Sequence, residues 1–114
     1  MARFMTLLVE DDTLQREYLA DLLKEKGLEV VECTTAEAAE LVLATAGLEL
    51  RALVTDVHLD GAMSGIELAE FAKQKYPQLN VLVISGREQP GLPPDTRFFA
   101  KPYAPDDIVS AVLS

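Results

Sequence analysis

Short apolar runs alternate with segments of helical periodicity along the whole sequence, and this alternation limits the possible folds more than any other feature. The first run, residues 4–9, is apolar at nearly every position, as expected for a strand that is covered on both faces. The runs predicted to form strands are residues 4–9, 29–32, 52–55, 80–84 and 97–100. Strands that alternate with helices in this way indicate a parallel sheet joined by right-handed crossover connections.

The segments between the strands carry recognisable helix signals. Thr13 is a candidate N-cap for the first helix, and Gly27 suits the position just after its end. Thr34 and Glu37 have the spacing of a capping box for the second helix, and Pro77 ends the third. The predicted helices are residues 13–26, 36–46, 64–75 and a last helix that has Pro105 in its first turn.

The segment between the fourth and fifth strands, residues 86–96, breaks this pattern. It contains three prolines and two glycines in eleven residues, a composition that does not permit a regular helix. We expect a loop or a single turn here. The chain is therefore predicted to be one α/β domain over residues 1–114, in which the fourth helix of a doubly wound parallel sheet is lost or reduced to a turn.

Charged and hydroxyl side chains follow the predicted strands at the points where the strands end. Glu10 and Asp11 follow the first strand, Asp56 the third, Ser85 the fourth and Lys101 the fifth. In parallel α/β sheets, ligands bind beyond the carboxyl ends of the strands. We therefore expect these side chains to converge on one pocket.

Carboxylates brought together in this way repel each other, by roughly 4 kcal/mol for two unit charges about 4 Å apart at an effective dielectric constant near 20. Such a cluster retains a proton or binds a cation, and Mg²⁺ prefers oxygen ligands while keeping several waters. Acids facing Lys101 thus predict a site that holds Mg²⁺ and receives a phosphoryl group. Asp12, the last acid of its run, is better explained by the preference for acids at the start of a helix.

The overall charge excludes several classes of partner. A net charge of −9 and a pI near 4.4 argue against direct binding to nucleic acid or to an anionic membrane, because phosphate contacts need Lys and Arg. No apolar run reaches the ~18 residues of a membrane span, and the N-terminus lacks the features of a signal peptide. We expect a cytoplasmic protein in which Cys33, the single cysteine, is inert and packed.

The sequence resembles the receiver domain of two-component response regulators, the CheY-like superfamily, over its whole length. No single motif is specific, but five of them occur in the expected order on an α/β scaffold. These motifs are residues 8–12 (LVEDD), 53–56 (LVTD), 65–68 (GIEL), 81–86 (VLVISG) and 101–102 (KP). The resemblance implies a five-stranded parallel sheet of flavodoxin-like order 2-1-3-4-5.

The resemblance also implies a role for each acid of the cluster. Asp56 matches the phospho-acceptor aspartate of the family, and the resemblance also implies that it is one of the Mg²⁺ ligands. Asp11 matches the direct Mg²⁺ ligand, and Glu10 matches its neighbour that binds the ion through water. The main-chain carbonyl of His58 matches the third protein ligand, while the His58 ring is expected to be exposed to solvent.

Further roles fall on the last two strands. Ser85 matches the hydroxyl that bonds a phosphoryl oxygen, and Lys101 matches the lysine that neutralises another, with a cis peptide bond before Pro102. Phe98 falls where the family carries its aromatic switch residue. The implied function is phosphorelay signalling, in which Asp56 accepts a phosphoryl group from a histidine kinase or a histidine phosphotransfer protein and switches a surface that binds a downstream protein.

Two departures from the family pattern affect this interpretation. The loop after Asp56 is one residue longer than its commonest form, and it has Asp60 where proline is usual. The shortened connection between the fourth and fifth strands puts the usual output and dimerisation surface in doubt, so we expect a monomer or a weak dimer. Gly65 still ends the longer loop, which indicates that the site is preserved.

Alternatives remain at this stage. The chain could be a stand-alone receiver, which its start at Met1 favours, or a receiver cut from a larger regulator or hybrid kinase. An aspartate-nucleophile phosphatase also uses an Asp after a strand, Mg²⁺ and Lys, but it needs a second acid where His58 stands. A flavodoxin-like FMN binder lacks its phosphate loop here, and a docking module without phosphorylation would not need the full set of acids, hydroxyl and lysine.

Overall fold

The structure is a computed structural model that describes residues 5–87 and 91–114. Its five strands are β1 (Met5–Val9), β2 (Glu29–Cys33), β3 (Leu50–Asp56), β4 (Asn80–Ser85) and β5 (Thr96–Ala100). Its helices are α1 (Thr13–Glu25), α2 (Ala36–Ala46), α3 (Gly65–Lys75) and α4 (Pro105–Leu113), with a 3₁₀ turn over Gly47–Glu49. All strand pairs are parallel and follow the order β2-β1-β3-β4-β5. This confirms the predicted fold class and strand order.

Helices cover both faces of the sheet, which explains why the central strands are apolar at nearly every position. Helices α2 and α3 bury one face of the sheet over side chains such as Leu7, Leu53 and Val83. Helices α1 and α4 bury the other face over Leu8, Val54 and their neighbours. Among the helices of the described ranges, none has both the length and the apolar composition needed to cross a lipid bilayer.

The helix ends show where the local sequence signals were misread. The N-cap of α1 is Asp12, whose side chain accepts from the Gln15 N–H at 2.9 Å, so the helix-start interpretation of Asp12 is confirmed and Thr13 is not the cap. The N-cap of α2 is Thr35, not Thr34. The predicted capping box with Glu37 is therefore wrong, because Thr35 already caps the helix and Glu37 bonds to another loop.

The strands differ from their predicted ranges mainly at the ends. β3 begins two residues earlier than predicted, at Leu50, because its first residues pair with the start of β1. β2, β4 and β5 each gain one residue, and Phe4, the predicted start of β1, lies outside the described residues. Between β4 and β5 the described residues, 86–87 and 91–95, contain no helix. This agrees with the expected loss of the fourth helix, with residues 88–90 outside the described ranges.

Candidate functional site

Three carboxylates meet at the carboxyl end of the sheet, as the sequence predicted. Glu10 and Asp11 follow β1, and Asp56 is the last residue of the adjacent strand β3. Each offers one carboxylate oxygen, and these oxygens all lie within 4.8 Å of one another. Glu10 and Asp56 are each only 7% exposed, so their charges are poorly screened by water. The protein thus holds three acids in an arrangement that a cation would stabilise.

Lys101 reaches this cluster from the end of β5. Its Nζ lies 2.6 Å from Asp56 Oδ2 and 3.4 Å from Glu10 Oε1. Burial alone would lower the pKa of Lys101, but the hydrogen bonds and charges of Asp56 and Glu10 outweigh burial and raise that pKa. The ammonium therefore stays charged and partly balances the acids.

Glu10 is the acid most affected by its neighbours. Burial raises its pKa, and the charge of Asp56 raises it further, although the N–H of Asp12 and the charge of Lys101 act in the opposite direction. The Asp12 N–H donates to Glu10 Oε2 at 3.1 Å. One carboxyl oxygen is thus held by the backbone and the other by Lys101, so the orientation of Glu10 is fixed.

The backbone brings these residues together by extending the strand pairing one step beyond the strands. The Glu10 N–H donates to the Cys33 carbonyl at 3.1 Å, and the Lys101 N–H donates to the Ser85 carbonyl at 2.8 Å. The Lys101–Pro102 peptide bond is cis, as expected. These backbone hydrogen bonds fix the points at which the loops leave the sheet, and so they fix the relative positions of Glu10 and Lys101.

His58 lies beside Asp56 and is exposed to solvent, as predicted. The His58 N–H faces Asp56 Oδ1 at 3.4 Å, while the residue as a whole is exposed. Its main chain therefore borders the acid cluster.

Cys33 is buried, and burial raises the pKa of its thiol, which agrees with an inert, packed cysteine.

The two predicted residues nearest β5 lie at different depths. Ser85 is fully buried at the end of β4, and its Oγ accepts from the Arg87 N–H at 3.2 Å. Phe98 is half-buried in β5, in register with Val83 of β4. Ser85 pairs with Ala100, so Phe98 lies two positions before the partner of Ser85 on the adjacent strand.

Two further side chains border the cluster, and sequence reasoning missed both. Arg16 of α1 donates from Nη1 to the Glu10 carbonyl at 3.0 Å and from Nε to Glu32 Oε1 at 3.3 Å. Tyr103 is half-buried, and burial together with the charge of Glu10 raises its pKa. No motif marks either residue, because their positions depend on how α1 and the loop after β5 pack on the sheet.

The oxygen atoms at this site are of the type that Mg²⁺ prefers as ligands. Carboxylate oxygens from two adjacent strands, with main-chain carbonyls nearby, are the hard oxygen ligands that this ion takes, and the half-exposed Asp11 leaves access for waters. Lys101 contacts both Asp56 and Glu10 and adds a positive charge beside the acids. Such an arrangement can bind an anionic group with many oxygens against Asp56 and neutralise that group from two directions.

The sequence is similar to a known protein family and to several of its characterised members. The sequence pattern of the family described as response regulator receiver domain matches residues 6–113. The chain is 42% identical over 79 residues to the response regulator protein FleR of Pseudomonas aeruginosa, which covers 69% of this chain and 16% of that protein. It is 30% identical over 112 residues to the response regulator receiver protein CpdR of Brucella abortus, which covers 93% of this chain and 91% of that protein.

Solved structures share the fold as well. A response regulator receiver protein from Sinorhizobium medicae superposes with a TM-score of 0.89 at 21% identity, over 97% of this chain and 92% of the other. At 21% identity, this superposition shows that the two chains share a fold. The chain thus spans a small part of a large regulator such as FleR and nearly all of a protein such as CpdR.

Proposed function

The chain belongs to the response regulator receiver domain family of two-component systems, and from this premise we propose that it accepts a phosphoryl group on Asp56. The donor is the phosphohistidine of a histidine kinase or of a histidine phosphotransfer protein. Phosphorylation changes a surface that binds a downstream protein. The domain acts as a phosphoryl acceptor that assists its own modification and the later hydrolysis, and it does not act as a turnover enzyme.

In the transfer step, a carboxylate oxygen of Asp56 attacks phosphorus as the bond from phosphorus to the donor imidazole nitrogen breaks. The imidazole keeps the electron pair and takes a proton, and Asp56 becomes an acyl phosphate. Catalysis of this reaction is mostly positioning and electrostatic stabilisation, because charge spreads over the equatorial oxygens in the transition state. Burial of Asp56 in a fixed orientation supplies the positioning.

The residues around Asp56 divide the stabilisation between them. Glu10, Asp11, Asp56 and the main-chain carbonyl of His58 would hold Mg²⁺, which when bound neutralises the acids and the incoming phosphoryl oxygens. Lys101 already contacts Asp56 and would move its hydrogen bond to a phosphoryl oxygen. The Ser85 hydroxyl would donate to another phosphoryl oxygen.

One observation carries the proposal more than any other. The Lys101 Nζ lies 2.6 Å from Asp56 Oδ2, and the same Asp56 contributes an oxygen to a group of three carboxylates within 4.8 Å of one another. A buried carboxylate held between a cation site and an ammonium group suits an acceptor residue that gains net negative charge when it is phosphorylated. It has no obvious purpose in a module that acts by docking alone.

The acceptor reaction is tested with Mg²⁺ and acetyl phosphate, followed by intact-mass measurement. We expect a gain of one phosphoryl group per chain, lost when Mg²⁺ is chelated and absent in Asp56→Asn. The matched control is Asp12→Asn, which removes a neighbouring charge but keeps the N-cap, since Asn caps as well as Asp. Continued hydrolysis of a phosphomonoester such as p-nitrophenyl phosphate would favour a phosphatase, and no uptake at all would favour a docking module.

A further inference from the structure

The loop between β3 and α3, residues 57–64, carries the main chain of His58 past the acid cluster. Its two ends are joined directly, because the Gly65 N–H donates to the Val57 carbonyl at 2.9 Å. Gly65 also packs so closely on β3 that an added Cβ would lie 1.8 Å from the Asp56 carbonyl oxygen. The base of the loop is thus fixed, and the conformation of its middle must be set by other contacts.

Glu37, in the first turn of the neighbouring helix α2, supplies such a contact. Its Oε2 accepts from the Ala62 N–H at 2.9 Å and from the Met63 N–H at 3.1 Å. Gly61 faces the same carboxylate, and an added Cβ there would lie 2.8 Å from Glu37 Oε1. The tip of the loop is therefore wrapped around one carboxylate and is bonded to it by two charge-assisted hydrogen bonds.

A second contact joins the same two segments. Thr35, the N-cap of α2, forms an isolated parallel bridge with Asp60 of the loop. Leu59 and Met63 pack against the core below α2 and α3. The loop thus rests on α2 through main-chain, side-chain and apolar contacts, and Glu37 provides the only charged contact among those that the structure describes for the loop tip.

The sequence of the loop indicates why it needs an external contact. It is one residue longer than the common form of the family, and it has Asp60 where a proline would restrict the backbone. Longer loops without proline have more conformations to lose on ordering. A carboxylate that binds two consecutive N–H groups removes much of this freedom without altering the sequence of the loop.

We propose that Glu37 is a positioning residue for the phosphorylation site, acting through the loop that it binds and not by contact with the phosphoryl group. By fixing residues 61–63 it fixes the path of the main chain at His58, whose N–H faces Asp56 Oδ1 at 3.4 Å. This inference rests on the proposed function, since it concerns Mg²⁺ binding and phosphorylation at the same site.

The chemistry of the contact provides a sharp pair of variants. Both backbone donors bond to a single oxygen, Oε2, so the one carbonyl oxygen of glutamine can accept both bonds. Glu37→Gln should keep the loop in place, whereas Glu37→Ala removes the acceptor. Glu40→Ala, on the same helix, is the matched control because it removes an acid of the same type away from the loop.

The test is a titration of the full chain with Mg²⁺, in which ¹⁵N NMR measures the affinity. Hydrogen exchange is measured at the Ala62 and Met63 amides of the same proteins. For Glu37→Ala we expect Mg²⁺ affinity to fall about tenfold, the lower end of the effect of groups that orient metal ligands, and faster exchange at both amides. Glu37→Gln should recover most of the affinity. Glu40→Ala should match the unmodified protein in both measurements.

The outcomes separate this inference from the proposed function. If the unmodified protein binds Mg²⁺ and takes up a phosphoryl group while Glu37→Ala does so with equal affinity and rate, the positioning role is overturned and the function stands. If the unmodified protein does neither, the proposed function fails and the inference falls with it. A loss of affinity in Glu37→Ala that Glu37→Gln does not restore would also overturn the role, since a lost acceptor would not be its cause.

Discussion

At the scale of single residues, the site is an arrangement of charges held closer together than they would lie in water. Glu10 and Asp56 are buried and share one ammonium group, Lys101, through contacts of 3.4 Å and 2.6 Å. Two acids and one base leave a net negative charge in a poorly screened place, and the half-exposed Asp11 adds to it. The residues therefore favour the binding of a divalent cation before any phosphoryl group arrives.

Gly65 provides a test of how closely the site loop packs on β3. Gly65→Ala should lower the free energy of unfolding by about 1–3 kcal/mol or more, the usual cost of overpacking, because the added Cβ would meet the Asp56 carbonyl. Urea unfolding measures the change. Gly86→Ala is the control, since a Cβ there meets no atom of the described structure within 4 Å, and its effect should stay within about 0.5 kcal/mol. Equal stabilities for the two variants would contradict the packing described.

At the scale of elements, the loops and strand ends carry the functional geometry. The β1–α1 loop brings two acids, the β3–α3 loop brings the main chain of His58, and the ends of β4 and β5 bring Ser85 and Lys101. Arg16 anchors the first of these loops through the Glu10 carbonyl, and Glu37 anchors the second. The β1–α1 loop and the β3–α3 loop are thus each tied to a neighbouring helix.

The contact between Glu37 and the loop predicts a defined response to acid. Hydrogen bonds from the N–H groups of Glu37 itself, Ala62 and Met63 lower the pKa of Glu37 from its ordinary value of 4.5. A lowered pKa in the folded state contributes stability that is complete above the ordinary value and is lost as pH falls through the folded value. The stability advantage of the native protein over Glu37→Gln should therefore be constant above about pH 5 and shrink below pH 4.5.

Urea unfolding of both proteins between pH 3 and pH 7 would show this difference directly. Glu40→Gln serves as the control, and its difference from the native protein should not follow the same curve. A difference for Glu37→Gln that grew as the pH fell would contradict the sign of the pKa shift and the contact that causes it.

The switch role that the family resemblance predicts for Phe98 can be tested in the β4–β5 pair. We expect Phe98→Ala to take up one phosphoryl group as the native chain does, because Phe98 has no polar group to contribute to the reaction and pairs with Val83, two positions before Ser85. The NMR shift changes that phosphorylation causes along β5 should become much smaller. If phosphorylation of Phe98→Ala caused shift changes along β5 as large as those in the native chain, Phe98 would not be the switch residue. If the variant took up no phosphoryl group, Phe98 would belong to the phosphorylation site itself.

The sequence predicted most of the elements because their signals are local. The apolar runs, Gly27 and Pro105 indicate strands and helix ends without reference to the rest of the chain. The cap of α2 was misassigned because Thr34 and Thr35 are both competent caps, and the local sequence does not distinguish them; in the structure Thr35 accepts from the Ala38 N–H. The start of β3 at Leu50 depends on pairing with β1, which is a non-local property.

The site was predicted where a residue directly follows a strand, and it was missed where a residue reaches the site from a helix, as Arg16 does, or from further along a loop, as Tyr103 does. Glu10, Asp11, Asp56 and Lys101 converge as expected because parallel strands end at one edge of the sheet. Arg16 and Glu37 act across packed elements, so their contacts depend on the rotation of α1 and α2 on the sheet. Periodicity indicates which face of a helix is buried, but not which loop a polar residue will meet.

At the scale of the whole molecule, ion binding at one edge of the sheet should stabilise the entire domain. A ligand that binds only the folded state adds about 2.7 kcal/mol when its concentration is 100 times its dissociation constant. We expect Mg²⁺ at that level to raise the free energy of unfolding by this amount, and Asp11→Asn to remove most of the effect. Asp12→Asn is the control and should retain it. Stability independent of Mg²⁺ would contradict the assignment of the acid cluster as a metal site.

The most direct test of the central claim is to locate the phosphoryl group. After treatment with acetyl phosphate and Mg²⁺, borohydride reduces an acyl phosphate of aspartate to homoserine, and peptide mass spectrometry identifies the changed residue. We predict homoserine at position 56 and nowhere else, and none when Mg²⁺ is omitted. Homoserine at Asp11 or another aspartate, 5-hydroxynorvaline at Glu10 or another glutamate, or a phosphoryl group on any residue other than Asp56 would contradict the account.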